Sequence, residues 1–144
     1  MDPINKIVPL HGEGEYSALF ETVTNKYQIS IQSLSKITGI DEEVIVKQEY
    51  DHELTELKHL LVMLTTGMEQ VDENDRVKAI IEVLYHVYHI TSETIALYSK
   101  VELDDVALFL RGDYHSIPFE KRYRIAVTAI FLHYLFKPAI TTKA

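Results

Sequence analysis

Displaced against itself by 61 positions, the chain lays Ala18 on Ala79, Glu21 on Glu82, Tyr27 on Tyr88 and Ile29 on Ile90. The same displacement lays Phe20 on Ile81, Val23 on Leu84, Ser30 on Thr91, Leu34 on Ile95, Ser35 on Ala96, Ile40 on Val101 and Ile45 on Val106, pairs alike in size and polarity. With two further residues in the second half, Leu54 meets Ile117 and Lys58 meets Lys121. A repeat of this size restricts the fold to one that two short, similar segments can each build. The 144 residues suit one ordinary domain or two very small ones.

The spacing of apolar residues is helical. Leu19, Phe20, Val23 and Tyr27 share one face of a helix over 15–27, and Leu54, Leu57, Leu60, Leu61 and Leu64 another. Val77, Ile80, Ile81, Leu84, Val87 and Tyr88 point inward from 76–89. Ser30, Asp41 and Thr91 are N-cap residues, Gly39 and Gly112 are stops, and Pro118 suits the first turn of a last helix that ends at Phe136, before Pro138. Only five Gly and four Pro interrupt this, so the expected fold is all-α, about eight helices in two tandem units packed into one helical body. The expected layout is a flexible lead-in 1–14, a first unit 15–69, a polar linker 70–75, a second unit 76–137 and a tail 138–144.

Within each unit a helix carries a small residue on its buried face, then comes a tight turn, then a short helix with a branched aliphatic directed back at the first. The parts are Leu34, Ser35, Gly39, Ile40 and Ile45 in the first unit, and Ile95, Ala96, Val101 and Val106 in the second, where Lys100 stands at the position of the glycine. The stretches ISIQSLSKITGIDEEVIVKQ and TSETIALYSKVELDDVALFLRGDYHSIP resemble the helix-turn-helix of phage-repressor-like (lambda-repressor-like, XRE-type) transcription regulators, over about residues 15–136. The resemblance implies a small bacterial regulator that docks on duplex DNA, while the lack of a secretory signal in the first thirty residues and of catalytic motifs leads us to expect a cytoplasmic, non-enzymatic protein. It implies phosphate or base contacts at Ile31, Gln32, Asp41, Glu42, Glu43, Val46 and Lys47, and at Ser92, Glu93, Glu102, Leu103, Asp104, Ala107 and Leu108.

Charge bears on that implication. The net charge is −8, and residues 41–56 hold seven acids against one Lys, so the first unit repels a phosphate-lined groove. The densest basic group, Arg111, Lys121, Arg122 and Arg124, follows the second short helix and would reach DNA backbone, or else solvates the start of the last helix. Leu103, Leu108, Phe109 and Leu110 surround that short helix as they would in a protein contact. Two readings therefore stand. One is a regulator contacting DNA through Ser92, Glu93, Leu103, Asp104, Ala107, Leu108, Arg111, Lys121, Arg122 and Arg124. The other is an acidic protein-binding module, an antagonist or adaptor or a self-associating chain, whose face is Asp41, Glu42, Glu43 and Glu49.

Other chemistry is thinly represented. There is no Cys, phosphate-binding glycine loop or nucleophile elbow, and no cofactor is implied. Glu82, His86 and His89 share helical spacing that can face a metal, but the expected reading is a hydrogen-bonded interface pair and no metal site. Tyr85, Tyr88, Tyr98, Tyr114, Tyr123 and Tyr134 could stack bases, yet most recur at core spacing and are expected to pack inside. The longest apolar run, 125–136, is broken by Thr128 and His133 and is well short of the ~20 residues of a membrane span.

Overall fold

A computed structural model describes the backbone of residues 13–47 and 52–143 and the side chains of 15–47 and 54–137. Among these residues the fold is all-α, with no strand. The helices are α1 Glu13–Glu21, α2 Ile31–Thr38, α3 Glu42–Lys47, α4 His52–Val62, α5 Met68–Gln70, α6 Glu73–Tyr88, α7 Ser92–Ser99, α8 Leu103–Leu110 and α9 Phe119–Lys143. The chain divides into two compact units, Met1–Val71 and Asp72–Ala144, each with its own core.

In the first unit Tyr16, Val23, Leu34, Ile40, Ile45, Leu54, Leu57 and Leu61 are buried together. Helix α1 passes into a π-helical turn, Thr22–Lys26, where the Tyr27 N–H bonds the Thr22 carbonyl at 3.2 Å. The extra residue in that turn rotates the side chains beyond it. Tyr27, predicted to face inward, is instead 39% exposed, and its hydroxyl donates to Glu69. A second π turn, Met63–Gly67, joins α4 to α5, with the Thr65 hydroxyl donating to the Leu61 carbonyl at 2.9 Å.

In the second unit Ile81, Leu84, Ile95, Ala96, Val106, Phe109, Ile117, Ile125, Ala129 and Leu132 form the core, and α6, α7 and α8 all pack on α9. Helix α6 starts at Glu73, so the polar run 70–75 is not simply a linker. Asp72 caps the helix by accepting from the Asn74 N–H at 2.9 Å, and Glu73 and Asp75 occupy the first turn, where carboxylates face the positive end of the dipole. Val87, expected inward, lies off the buried stripe and is 54% exposed.

A further difference concerns α9. It runs to Lys143 through Pro138, where the sequence predicts a stop and a tail. Proline's fixed φ is itself helical, so a rod anchored on the core by Ile125, Ala129 and Leu132 continues with the loss of one backbone bond.

Candidate functional site: the two helix-turn-helix segments

The first segment is built by local chemistry. Ser30 caps α2, its Oγ accepting from the Ser33 N–H at 3.0 Å. The helix ends at Gly39, whose φ of 78° is the left-handed conformation that a residue without Cβ adopts at little cost. The Gly39 N–H bonds the Ser35 carbonyl at 2.7 Å, and the Ser35 hydroxyl donates to the Ile40 carbonyl at 2.6 Å, closing the turn. Fully buried Leu34 and Ile45 then fix α3 against α2. This leaves Asp41 exposed just before α3 and Glu42, Glu43, Val46 and Lys47 exposed along it, with Gln32 exposed and Ile31 half-buried at the start of α2. Beside the turn lies an open cleft of about 300 Å³ lined by Thr38, Gly39, Ile40, Asp41, Val44 and Glu56. Glu49 lies outside the described residues.

The second segment reproduces this local geometry 61 residues later. Thr91 caps α7, accepting from the Thr94 N–H at 3.3 Å. Gln28 and His89 take φ of 58° and 59° ahead of the two caps, and Lys100 takes 60° where the first unit has Gly39. Ala96 replaces Ser35, so no hydroxyl is available. Here the Val101 N–H closes the turn on the Ala96 carbonyl at 3.2 Å. Helix α8 is held at its start by Asp105, 9% exposed, which accepts from the Glu102 N–H at 3.0 Å and from Lys121 Nζ at 3.3 Å.

Of the residues predicted to face a ligand in the second unit, Glu93, Leu103, Asp104 and Arg111 are exposed, as is Glu102, while Ser92, Ala107, Leu108, Lys121, Arg122 and Arg124 are half-buried. The basic group does not form an outward rim. Lys121 is tied to Asp105, Arg122 Nε donates to the Ile117 carbonyl at 3.2 Å, and Arg124 donates to the Lys100 carbonyl and to Glu120 at 3.3 and 3.1 Å. The leucines are also largely consumed within the unit. Phe109 is fully buried, Leu108 and Leu110 pack on the core, and Leu103 alone of the four is exposed. Arg111 remains outward, near Asp113 at 3.6 Å.

Glu82 and His86 line an open cleft of about 380 Å³ with Ile81, Tyr85, Ser92 and Leu110. His89 is the left-handed C-cap of the helix that carries Glu82 and His86, and no group of three or more metal-ligating side chains occurs among the described residues. The tyrosines also depart from expectation. Tyr88 and Tyr114 pack on the core, but Tyr85, Tyr98, Tyr123 and Tyr134 are 55–67% exposed. Burial, reinforced by a hydrogen bond to Asp75, pushes the Tyr114 hydroxyl up to about 12. On the first unit, hydrogen bonds from Lys26 and Tyr27 hold the Glu69 carboxyl below its ordinary value.

One surface is not anticipated by the sequence. Phe119, Tyr123, Val127, Ile130, Phe131 and Tyr134 are all exposed on α9, on the side opposite Ile125, Ala129 and Leu132. Their spacing of three and four is legible, but spacing alone does not divide it between an inward and an outward face.

The two units differ in charge. Lys and Arg number five against twelve acids in 1–71, and nine against ten in 72–144. No helix among the described residues is long and apolar enough to cross a membrane. A family model described as a helix-turn-helix domain matches residues 12–142. No curated protein and no solved structure matches the chain.

Proposed function

The chain belongs to this helix-turn-helix domain family, and from that premise we propose that it is a non-enzymatic regulator of transcription whose first unit binds a basic protein partner instead of DNA. One observation carries the reading. Asp41 just before α3 and Glu42 and Glu43 on it all stand exposed at the start of the helix that would enter a groove, where carboxylates meet phosphate with repulsion and release no counterions. The adjoining cleft has Asp41 and Glu56 in its wall, a setting for an inserted Lys or Arg side chain. The recurrence of caps and left-handed turns 61 residues apart supports reading the units as copies of one ancestral segment, the first having lost its capacity for DNA.

The test compares the wild-type protein with a Glu42→Lys/Glu43→Lys variant as immobilised baits, followed by direct titration of each retained protein. Partners that leave with rising salt and fail to bind the variant support the reading. An identical partner set for both baits, with identical affinities, refutes it.

A second reading, duplex DNA at the second unit, is favoured by the nearly balanced charge there and by Lys100 and Arg111, exposed at the two ends of α8. A gel shift with random genomic fragments at low salt tests it. Retardation that Arg111→Glu abolishes supports it, and free migration of every fragment removes it.

A further inference from the structure

We propose that the outer face of α9 is a self-association surface, on which a second copy of this chain lays its own α9 antiparallel across a two-fold axis. The inference rests on α9 alone and stands whichever ligand the reading helices take. Phe119, Tyr123, Val127, Ile130, Phe131 and Tyr134 follow one another at helical spacing and fall within about a third of the helix circumference at 3.6 residues per turn. They are exposed by 48–70%, while Ile125, Ala129 and Leu132 on the other side are exposed by 0–8%. A helix apolar on two opposite faces has both of them covered.

The size of the face and its symmetry identify the occupant. Taking 150–250 Å² for a whole aromatic side chain, the exposed parts of these six residues and Leu135 amount to about 700 Å². That exceeds the ~300–600 Å² of the largest patch on a typical monomer and approaches the ~800 Å² that each partner buries in a standard interface. The face is also complementary to itself. A two-fold axis between positions 128 and 129 sets Tyr123 against Tyr134 of the second copy, Val127 against its Ile130, and Glu120 at one end against its Lys137 at the other. Parallel pairing would place Glu120 on Glu120. Phe119 stacks on Tyr123 and Phe131 on Tyr134, with ring centroids 6.5 and 6.2 Å apart, so the rings already stand in order before any partner arrives.

The test uses the full chain, which has no Cys, so single cysteines report geometry without background. Sedimentation equilibrium is expected to show a species of twice 16.6 kDa. Tyr134→Asp is expected to weaken that association by about 30-fold or more with an unchanged circular dichroism spectrum, since the ring lies outside the core. Under mild oxidation Ile130→Cys, about 5 Å along the axis from its mate, is expected to form a linked dimer. Phe119→Cys, about 28 Å from its mate, is expected to stay monomeric on denaturing gels. The proposal is overturned by a wild-type monomer at every soluble concentration, by unchanged association of Tyr134→Asp, or by equal linking of the two cysteine variants. It is also overturned if anionic vesicles recruit a chain that remains monomeric, because one acid against several bases in 119–144 would then mark a lipid-facing helix.

Discussion

Replacing Asp105 by alanine is expected to destabilise the protein by about 1.5 kcal/mol, a figure set by the groups this carboxylate touches. One oxygen accepts from the Glu102 N–H at 3.0 Å, closing the first turn of α8, and loss of such a cap costs about 1 kcal/mol. The same oxygen lies 3.3 Å from Lys121 Nζ, whose side chain is 36% exposed, so solvent screens the pair and its share is about 0.5 kcal/mol. Asp105→Asn keeps the acceptor and loses the charge, and is expected to cost only about 0.5 kcal/mol. Urea unfolding followed by circular dichroism reads both. With a slope of about 2 kcal/mol per molar, the midpoint falls by roughly 0.7 M for alanine and by a third of that for asparagine. Lys121→Met costs about 0.5 kcal/mol alone and nothing further beside Asp105→Ala, because the partner is already gone. Equal losses for alanine and asparagine, or an alanine variant as stable as wild type, would refute the view that this side chain holds α8 at its start.

Two further predictions concern the turns and pH. Lys100→Gly is expected to stabilise the protein by about 0.5–1 kcal/mol, by relieving a side chain held at φ 60°, whereas Gly39→Lys costs about 1 kcal/mol although no atom lies within 4 Å of the added Cβ; thermal melts of the two single variants check the opposite signs. For Tyr114 the folded protein holds the hydroxyl proton more tightly than the unfolded chain, whose value is 10.0, so its contribution is complete below that pH and is lost as pH rises toward about 12. Tyr114→Phe is therefore expected to flatten the decline of stability over that interval, and parallel alkaline melts of the two proteins would contradict the assignment.

Local chemistry made much of this fold legible. Ser30 and Thr91 announce α2 and α7 because a hydroxyl before an apolar period has one efficient use, accepting from the free N–H groups of a first turn. Gly39 announces the turn for an equally local reason. The π turn before Tyr27 was not legible, since nothing in TVTNK distinguishes a wide turn from an α turn until Tyr27 meets Glu69. The acids at 72–75 are ambiguous for a related reason. Asp, Glu and Asn serve a linker and a helix start equally well, and the difference lies in whether a packed helix comes next.

The candidate site divides along the same line. Sequence alone determined that the chain is helical, that cap and turn residues stand 61 positions apart, and that the start of α3 is anionic, because spacing, caps and charge are properties of neighbours along the chain. Only the tertiary structure decided which bases are engaged and which apolar residues are left outside. Lys121, Arg122 and Arg124 turn inward because Asp105, the Ile117 carbonyl and the Lys100 carbonyl are brought to them by packing. Leu108 and Leu110 pack, partly buried, against the core of their unit, while Phe119, Tyr123 and Tyr134 remain outside, because one face of α9 is enough to close that core and a helix has two.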